Sequence, residues 1–293
     1  MGKIQAQIYS IIRQNREGVL EALKTISQIG YDGVELIGNN TGGLSIADFK
    51  NYLAELNLTV NSVHSLNCEK DYEFARELGA SYAVNSLPGH PSNREEALAA
   101  AEKLNGIGRS LANYDLKCVY HNHANEFIKI GNSRVYDILL ENTDPALVGF
   151  EFDIGWGQLA GVDCPSYIRK YPGHFPLLHV KECNKIAKNE EEFEHFPAKI
   201  VEFAKKLDPD FAKPGKPPKF PPEAAEMMYN SRNWNVALGE GLVDWKAIRD
   251  AAEAQGVVAY ISEREYYHIG DNTKGDPTTA AVLDYQYLRK LVG

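Results

Sequence analysis

The chain has 293 residues, with 31 Lys and Arg against 40 Asp and Glu, a formal net charge of −9. Hydrophobic residues make up 44% and charged residues 24%, which excludes a disordered chain, a collagenous repeat and a disulfide-stapled miniprotein. The acidic balance argues against a phosphate-neutralising nucleic-acid sleeve, and no apolar run reaches membrane-spanning length. The scattered Cys68, Cys118, Cys164 and Cys183, with no CxxC pair, read as reduced thiols of a cytoplasmic protein.

The first β-rich run covers residues 4–9. A helical face of Val19, Leu20, Leu23, Ile26 and Ile29 follows and stops at Gly30, a residue suited to a left-handed C-cap. Residues 33–37 and 59–65 read as the second and third strands. The segment ELGASYAV repeats the joint of helix, glycine and strand at Gly79 and leads into a fourth strand, 82–87. Leu98, Ala101, Leu104, Ile107 and Leu111 form the next helical face, ahead of strands 117–123, 148–154 and 177–182. A weaker face of Ile248, Ala251, Ala252 and Gln255 follows Trp245 and ends at Gly256; a last strand, 258–266, and a closing helix, 277–291, complete the chain.

The first seven strand starts fall 23 to 35 residues apart, one β/α unit each, and the eighth comes 81 residues later. Eight such units predict an α/β fold, a closed (β/α)8 TIM barrel occupying 1–293 as a single domain. The excess, residues 185–235, is expected as an elaborated loop after strand 7 on the C-terminal face. It opens with a charged helical stretch and continues as DPDFAKPGKPPKFPPEAAE, where proline density favours extended chain. No GxGxxG or GxxxxGK[ST] opens the first βα turn, which weakens a nucleotide-binding alternative.

Side chains at the C-terminal ends of barrel strands face the site. Those ends carry Glu35, His64, His121 with His123, Glu151 with Asp153, His179 with Lys181, and Glu263 with Glu265. Each pair is two residues apart and so shares one side of its strand. Singly, each has a structural reading: a hydrogen-bonded histidine, a rim charge at Glu265, a cation partner for Glu151, a salt bridge from Lys181 to Glu151 or Glu265. Their convergence on one pore is the informative feature. Buried carboxylates need pairing, hydrogen bonds or a metal, and histidine with carboxylates suits Mn²⁺, Mg²⁺, Co²⁺ or Zn²⁺.

The segments YHNHANEF, VGFEFDIGWGQLAGVD, PLLHVKE and GEGLVDWKAI, with Glu263 in the last strand, resemble the sugar phosphate isomerase/epimerase family. That family has the xylose isomerase-like TIM barrel, a fold also used by endonuclease IV. The resemblance implies one divalent metal, manganese first and Mg, Co or Zn as alternatives, with a ligand from each of strands 5 to 8. The family order is Glu, Asp, His, Glu. Asp153, His179 and Glu263 match the last three, while strand 5 departs from the pattern and offers His121, Asn122 and His123. His121 is the fourth ligand by position; His123, Glu126 or a three-ligand site with water are the alternatives.

The implied activity is isomerisation or epimerisation of a small sugar or keto-polyol by proton transfer through an enediolate. Glu263 serves as one base, with His121 or His123 as its partner. The alternative is a lyase or dehydratase that performs β-elimination on a keto-sugar or keto-inositol with the same pair. Glu35, His64, Glu126, Trp156 and Lys181 are expected to bind substrate, Trp156 as a wall stacked on a sugar face. Asn122 points away and is structural; Asp244 caps the helix after the glycine-rich turn, which leaves Glu240 either near substrate or exposed. The expected partner is a small carbohydrate, in a homo-oligomer, with neither nucleic acid nor membrane. An endonuclease would need ligands for two further metals, where the sequence offers enough for about one.

Overall fold

The computed structural model describes residues 2–12, 18–86, 91–192, 196–209, 211, 220–231, 233–264 and 277–293. Eight strands carry the fold: β1 Lys3–Gln7, β2 Gly33–Ile37, β3 Thr59–His64, β4 Tyr82–Asn85, β5 Lys117–His121, β6 Val148–Asp153, β7 Leu177–Val180 and β8 Ala259–Ser262. Each pairs in parallel with its neighbours, and β8 pairs with β1 through Lys3 opposite Ala259, so the sheet closes into the expected barrel. The strands are almost wholly buried, as parallel strands covered by helices must be. Glu265, Leu87 and the central proline run, 212–219, lie outside the described residues.

Eight helices alternate with the strands: α1 Val19–Ile29, α2 Ile46–Glu55, α3 Glu69–Glu77, α4 Arg94–Ala112, α5 Val135–Asn142, α6 Cys164–Lys170, α7 Trp245–Gln255 and α8 Pro277–Val292. Their ends follow local chemistry. Asn93 and Asp244 accept the backbone N–H of Glu96 and Ala247 as N-caps. Gly30 and Gly256 end α1 and α7 at φ of 107° and 73°, a left-handed region that a Cβ would strain.

On α4 the buried face is Ala97, Ala101, Leu104, Asn105, Gly108 and Leu111. The expected Leu98 instead stands exposed. The face is rotated because Gly108 lets the helix approach the backbone of Leu147, where a Cβ would sit 2.8 Å from the carbonyl oxygen. Small residues therefore set the contact, a signal that a count of large apolar residues misses.

The barrel interior is layered. Val84, Val119, Leu177, Ala259 and Ile261 form an apolar cluster of their own, distinct from the larger layer between strands and helices. Two residues further along the same strands stand His121, His179 and Glu263, so the polar groups sit directly above that floor. Strands 5 and 8 end sooner than expected, at His121 and Ser262, so His123 and Glu263 lie just beyond the ladder.

The 185–235 stretch is more than a loop. Its helices Phe196–Leu207 and Pro222–Ser231 contribute to a small core of Ile200, Ala204, Phe211 and Ala224, separate from the barrel core. Its ends are tied to the barrel mouth: Asn184 N–H donates to the Trp234 carbonyl and Ala187 N–H to that of Leu159. Among the described residues no helix is long and apolar enough to cross a membrane.

The rotated face of α4 has a measurable consequence. Leu104→Ala removes a side chain with no exposure and is expected to cost about 2–5 kcal/mol in urea unfolding. Leu98→Ala is expected to stay within about 0.5 kcal/mol.

Candidate active site

The polar groups at the barrel mouth form two layers that meet at His179. In the lower layer Glu35, fully buried on β2, accepts hydrogen bonds from Gln7 Nε2 at 2.7 Å and Ser62 Oγ at 2.5 Å. Its Oε1 also lies 2.9 Å from His64 Nε2 and 2.8 Å from His179 Nε2. Glu151, fully buried on β6, turns Oε2 towards three imidazoles: His64 Nε2 at 3.0 Å, His121 Nδ1 at 2.9 Å and His179 Nε2 at 3.2 Å. Its Oε1 is buried without a hydrogen-bond partner. The strand register builds this layer, since His121 stands opposite Glu151 across β5 and β6.

Burial lowers the affinity of the His64 ring for a proton, but Glu35 and Glu151 outweigh it and hold its pKa at about 10. Burial and repulsion from Glu35 push Glu151 up to about 7. His121 goes the other way, driven well below the ordinary value by burial and by the neighbouring His179, His123 and His64.

In the upper layer Asp153 stands opposite His179 across β6 and β7. Asn122 Oδ1 accepts the Asp153 backbone N–H at 3.0 Å, which confirms the structural role expected of Asn122. Asp153 Oδ1 caps the short helix Ile154–Leu159 by accepting the Trp156 N–H at 3.0 Å. Its Oδ2 lies 3.1 Å from Lys181 Nζ without hydrogen-bond alignment. Glu263 Oε2 lies 2.8 Å from Lys181 Nζ and 3.0 Å from His179 Nδ1. Burial opposes ionisation of Glu263, but Lys181 and His179 keep its carboxyl well below the usual range.

These groups test whether a divalent ion fits. One oxygen each of Asp153 and Glu263 and one nitrogen of His179 lie within 4.8 Å of one another, all buried. The Asp153 oxygen without a hydrogen bond, Oδ2, lies 3.9 Å from His179 Nδ1, on the side of that group. A mixed imidazole and carboxylate set of this kind suits Mn²⁺, Co²⁺ or Zn²⁺, so the residues fit.

The structure revises several expectations. Among the described residues Lys181 pairs with Asp153 and Glu263 and not with Glu151, and Glu151 meets imidazoles in place of a lysine or arginine. His121 turns Nδ1 down to Glu151, so it groups with the lower layer and not with Asp153 and Glu263. Glu126 accepts the Tyr120 hydroxyl at 2.6 Å and the His123 N–H at 2.8 Å, and so braces the turn after β5. His123 is half-buried on the rim, its ring 5.1 Å from that of His121 and 5.5 Å from Trp156. Trp156 is buried among Trp234, His123 and Lys181, a backing wall for the site. Glu240 is exposed.

Sequence reasoning missed the groups that hold the mouth in place. Buried Glu182 accepts the backbone N–H groups of Cys183, Gly239 and Val243 and the Trp245 indole N–H at 2.7–3.2 Å. It thereby fastens the GEGL turn to the end of β7. The glycines of that turn were the available signal, since a side chain at Gly241 would collide with Glu182. Arg264, next to Glu263, pairs with buried Asp284 of α8 at 2.6 Å. Trp234 arrives from the 185–235 stretch to pack on Trp156, with ring centres 4.8 Å apart.

Residues 23–291 match a family model described as the xylose isomerase-like TIM barrel. In sequence, the chain is 28% identical over 128 residues to an inosose dehydratase of Clostridium perfringens, a stretch covering 39% of this chain and 42% of that enzyme. The match thus spans less than half the length of that relative. In structure, a sugar phosphate isomerase/epimerase from Parabacteroides distasonis superposes with a TM-score of 0.70 at 19% identity, covering 99% of this chain and 98% of the other. IolI, solved with a bound zinc atom, gives 0.68 at 12% identity, with coverage of 99% and 98%. At these identities the structures speak for the fold.

Because Glu182 satisfies several buried donors at once, Glu182→Ala is expected to lower stability by at least about 3 kcal/mol, read from the urea midpoint. Glu240→Ala, at an exposed position of the same turn, is expected to change it by less than about 0.5 kcal/mol.

Proposed function

The chain belongs to the xylose isomerase-like TIM barrel family, and from that premise we propose a divalent-metal-dependent enzyme acting on a small keto-sugar or keto-polyol. The observation that carries the reading is the buried convergence of Asp153, His179, Lys181 and Glu263 at the barrel mouth. Asp153, His179 through Nδ1 and Glu263 would hold the ion as a three-residue set. A bound divalent ion supplies Lewis-acid polarisation of carbonyl and hydroxyl oxygens.

The protein's own groups divide the remaining work. Glu263, kept ionised by Lys181 and His179, takes the proton from the carbon beside the carbonyl. The Lys181 ammonium, within 2.8–3.1 Å of both carboxylates, is placed to hold the oxygen on which negative charge develops. His123, the half-buried imidazole on the rim, delivers a proton to the substrate. Buried His121 acts beneath it as a support. Trp156 and Trp234 keep water from the Lys181 side.

Two outcomes share that first step. If His123 reprotonates carbon, the result is isomerisation or epimerisation, which the likeness to the isomerase/epimerase fold supports. If it protonates a β-hydroxyl, water leaves, and the sequence likeness to inosose dehydratase supports this second outcome equally. In both, Glu263 gains the α-proton and His123 gives up one of its own, to carbon in the first and to the departing hydroxyl in the second, and proton exchange with solvent restores the two groups.

Incubation of the Mn²⁺-loaded chain with a panel of keto-inositols and ketoses, followed by mass spectrometry, separates the two. An isomer has unchanged mass, and an elimination product is lighter by one water. Glu263→Gln is expected to lower kcat by about 10²–10⁴-fold on whichever substrate turns over. Turnover unaffected by that substitution would contradict the assignment of Glu263 as base.

A further inference from the structure

We propose that His64, His121, Glu151 and His179 Nε2 form a second divalent-metal site, below the Asp153, His179 and Glu263 group and distinct from it. The four donors come from β3, β5, β6 and β7, and one ligand atom from each lies within 4.8 Å of the others. This inference goes beyond the proposed reaction and stands without it.

Hydrogen bonding around Glu151 is unbalanced. Three imidazole nitrogens face the single oxygen Glu151 Oε2 at 2.9–3.2 Å, while Oε1 of the same carboxylate is buried without a hydrogen-bond partner. One carboxylate oxygen has two lone pairs and accepts two N–H donors well. His64 and His121 already fill it, and His179 Nε2, whose own hydrogen bond runs to Glu35 Oε1, crowds in at 3.2 Å beside an idle sister oxygen, a poor use of a fully desolvated carboxylate. The same arrangement is economical if the imidazoles present lone pairs to a cation instead of protons to an oxygen.

The spacings agree with that reading. For metal–nitrogen bonds of about 2.0–2.1 Å, tetrahedral ligands stand about 3.3 Å apart. The nitrogen-to-Oε2 spacings here, 2.9–3.2 Å, approach that edge. Glu35 Oε1, 2.9 and 2.8 Å from the Nε2 atoms of His64 and His179, adds a second negative charge at the edge of the cluster. Gln7 and Ser62 anchor that carboxylate. Three imidazoles with one carboxylate favour Zn²⁺ or Co²⁺ over Mg²⁺. His179 reaches both groups through opposite ring nitrogens, Nδ1 above and Nε2 below, and with both sites filled it would bridge them as an imidazolate, its last N–H proton released to solvent as the second ion binds. The His64 side chain, 15% exposed, gives the lower site an opening to solvent.

The test uses zinc alone. Chelator-stripped chain is reloaded with Zn²⁺, passed through gel filtration and analysed for zinc per chain. Wild type is expected to retain two ions, Asp153→Ala one, and His64→Ala with Glu151→Gln one. Because the lower variants could also misfold, zinc-edge anomalous diffraction from wild-type crystals gives an independent reading. A peak bonded to His64 Nε2, His121 Nδ1 and Glu151 is expected. One ion in wild type that survives His64→Ala but not Asp153→Ala, with no lower peak, would overturn this site and leave the proposed reaction standing. One ion lost only in the lower variants would support this site and remove the upper one. No retained ion would overturn both.

Discussion

His179 is the residue on which the mouth of the barrel depends, because buried charges there have no water to screen them and must be matched by each other. Its Nδ1 meets Glu263 at 3.0 Å and its Nε2 meets Glu35 at 2.8 Å. One ring thus ties the layer that faces substrate to the layer beneath. The surrounding groups follow the same rule. Lys181, 1% exposed, is compensated by two carboxylates, and Glu35 and Glu151 by imidazoles. Isolated ions in such a place would cost several kcal/mol each. The arrangement persists because each charge has an opposite or a hydrogen-bonding neighbour within about 3 Å.

The fold supplies this setting at little conformational expense. Parallel strands of similar phase stack an apolar floor of Val119, Leu177 and Ile261 under the polar ends His121, His179 and Glu263. The loops above are then fixed by hydrogen bonds that the strands themselves do not use. Glu126 holds the turn that carries His123, Glu182 holds the GEGL turn, and Asp284 holds Arg264 beside Glu263. The 185–235 stretch adds Trp234 against Trp156 at the edge of the site. Preorganisation of this kind is what electrostatic catalysis requires, since groups already in position need not reorganise as charge develops.

Much of the architecture was legible in the sequence because it rests on local rules. Alternating strands and helices, and glycines such as Gly30 and Gly256 at the joints, are set by nearest neighbours in the chain. The convergence of Asp153, His179 and Glu263 was legible because closing the barrel brings equivalent strand ends together. What escaped were distinctions that depend on distant partners. The side of α4 that packs inward is set by Gly108 meeting Leu147. Whether His121 joins Glu263 or Glu151 depends on register between β5 and β6, and the partner of Lys181 depends on where Glu263 falls after β8 ends. The role of Glu182 was hidden because three of its four donors, those of Gly239, Val243 and Trp245, lie more than fifty residues away.

Chemistry at this mouth begins with removal of a proton from carbon next to a carbonyl. The most direct measurement is ¹H NMR of a responsive keto-sugar or keto-inositol in deuterated water with the metal-loaded chain, beside Glu263→Gln. The α-proton signal is expected to be lost, by exchange or by elimination, in the wild type and to persist in the variant. Conversion of substrate with the α-proton fully retained would contradict that first step.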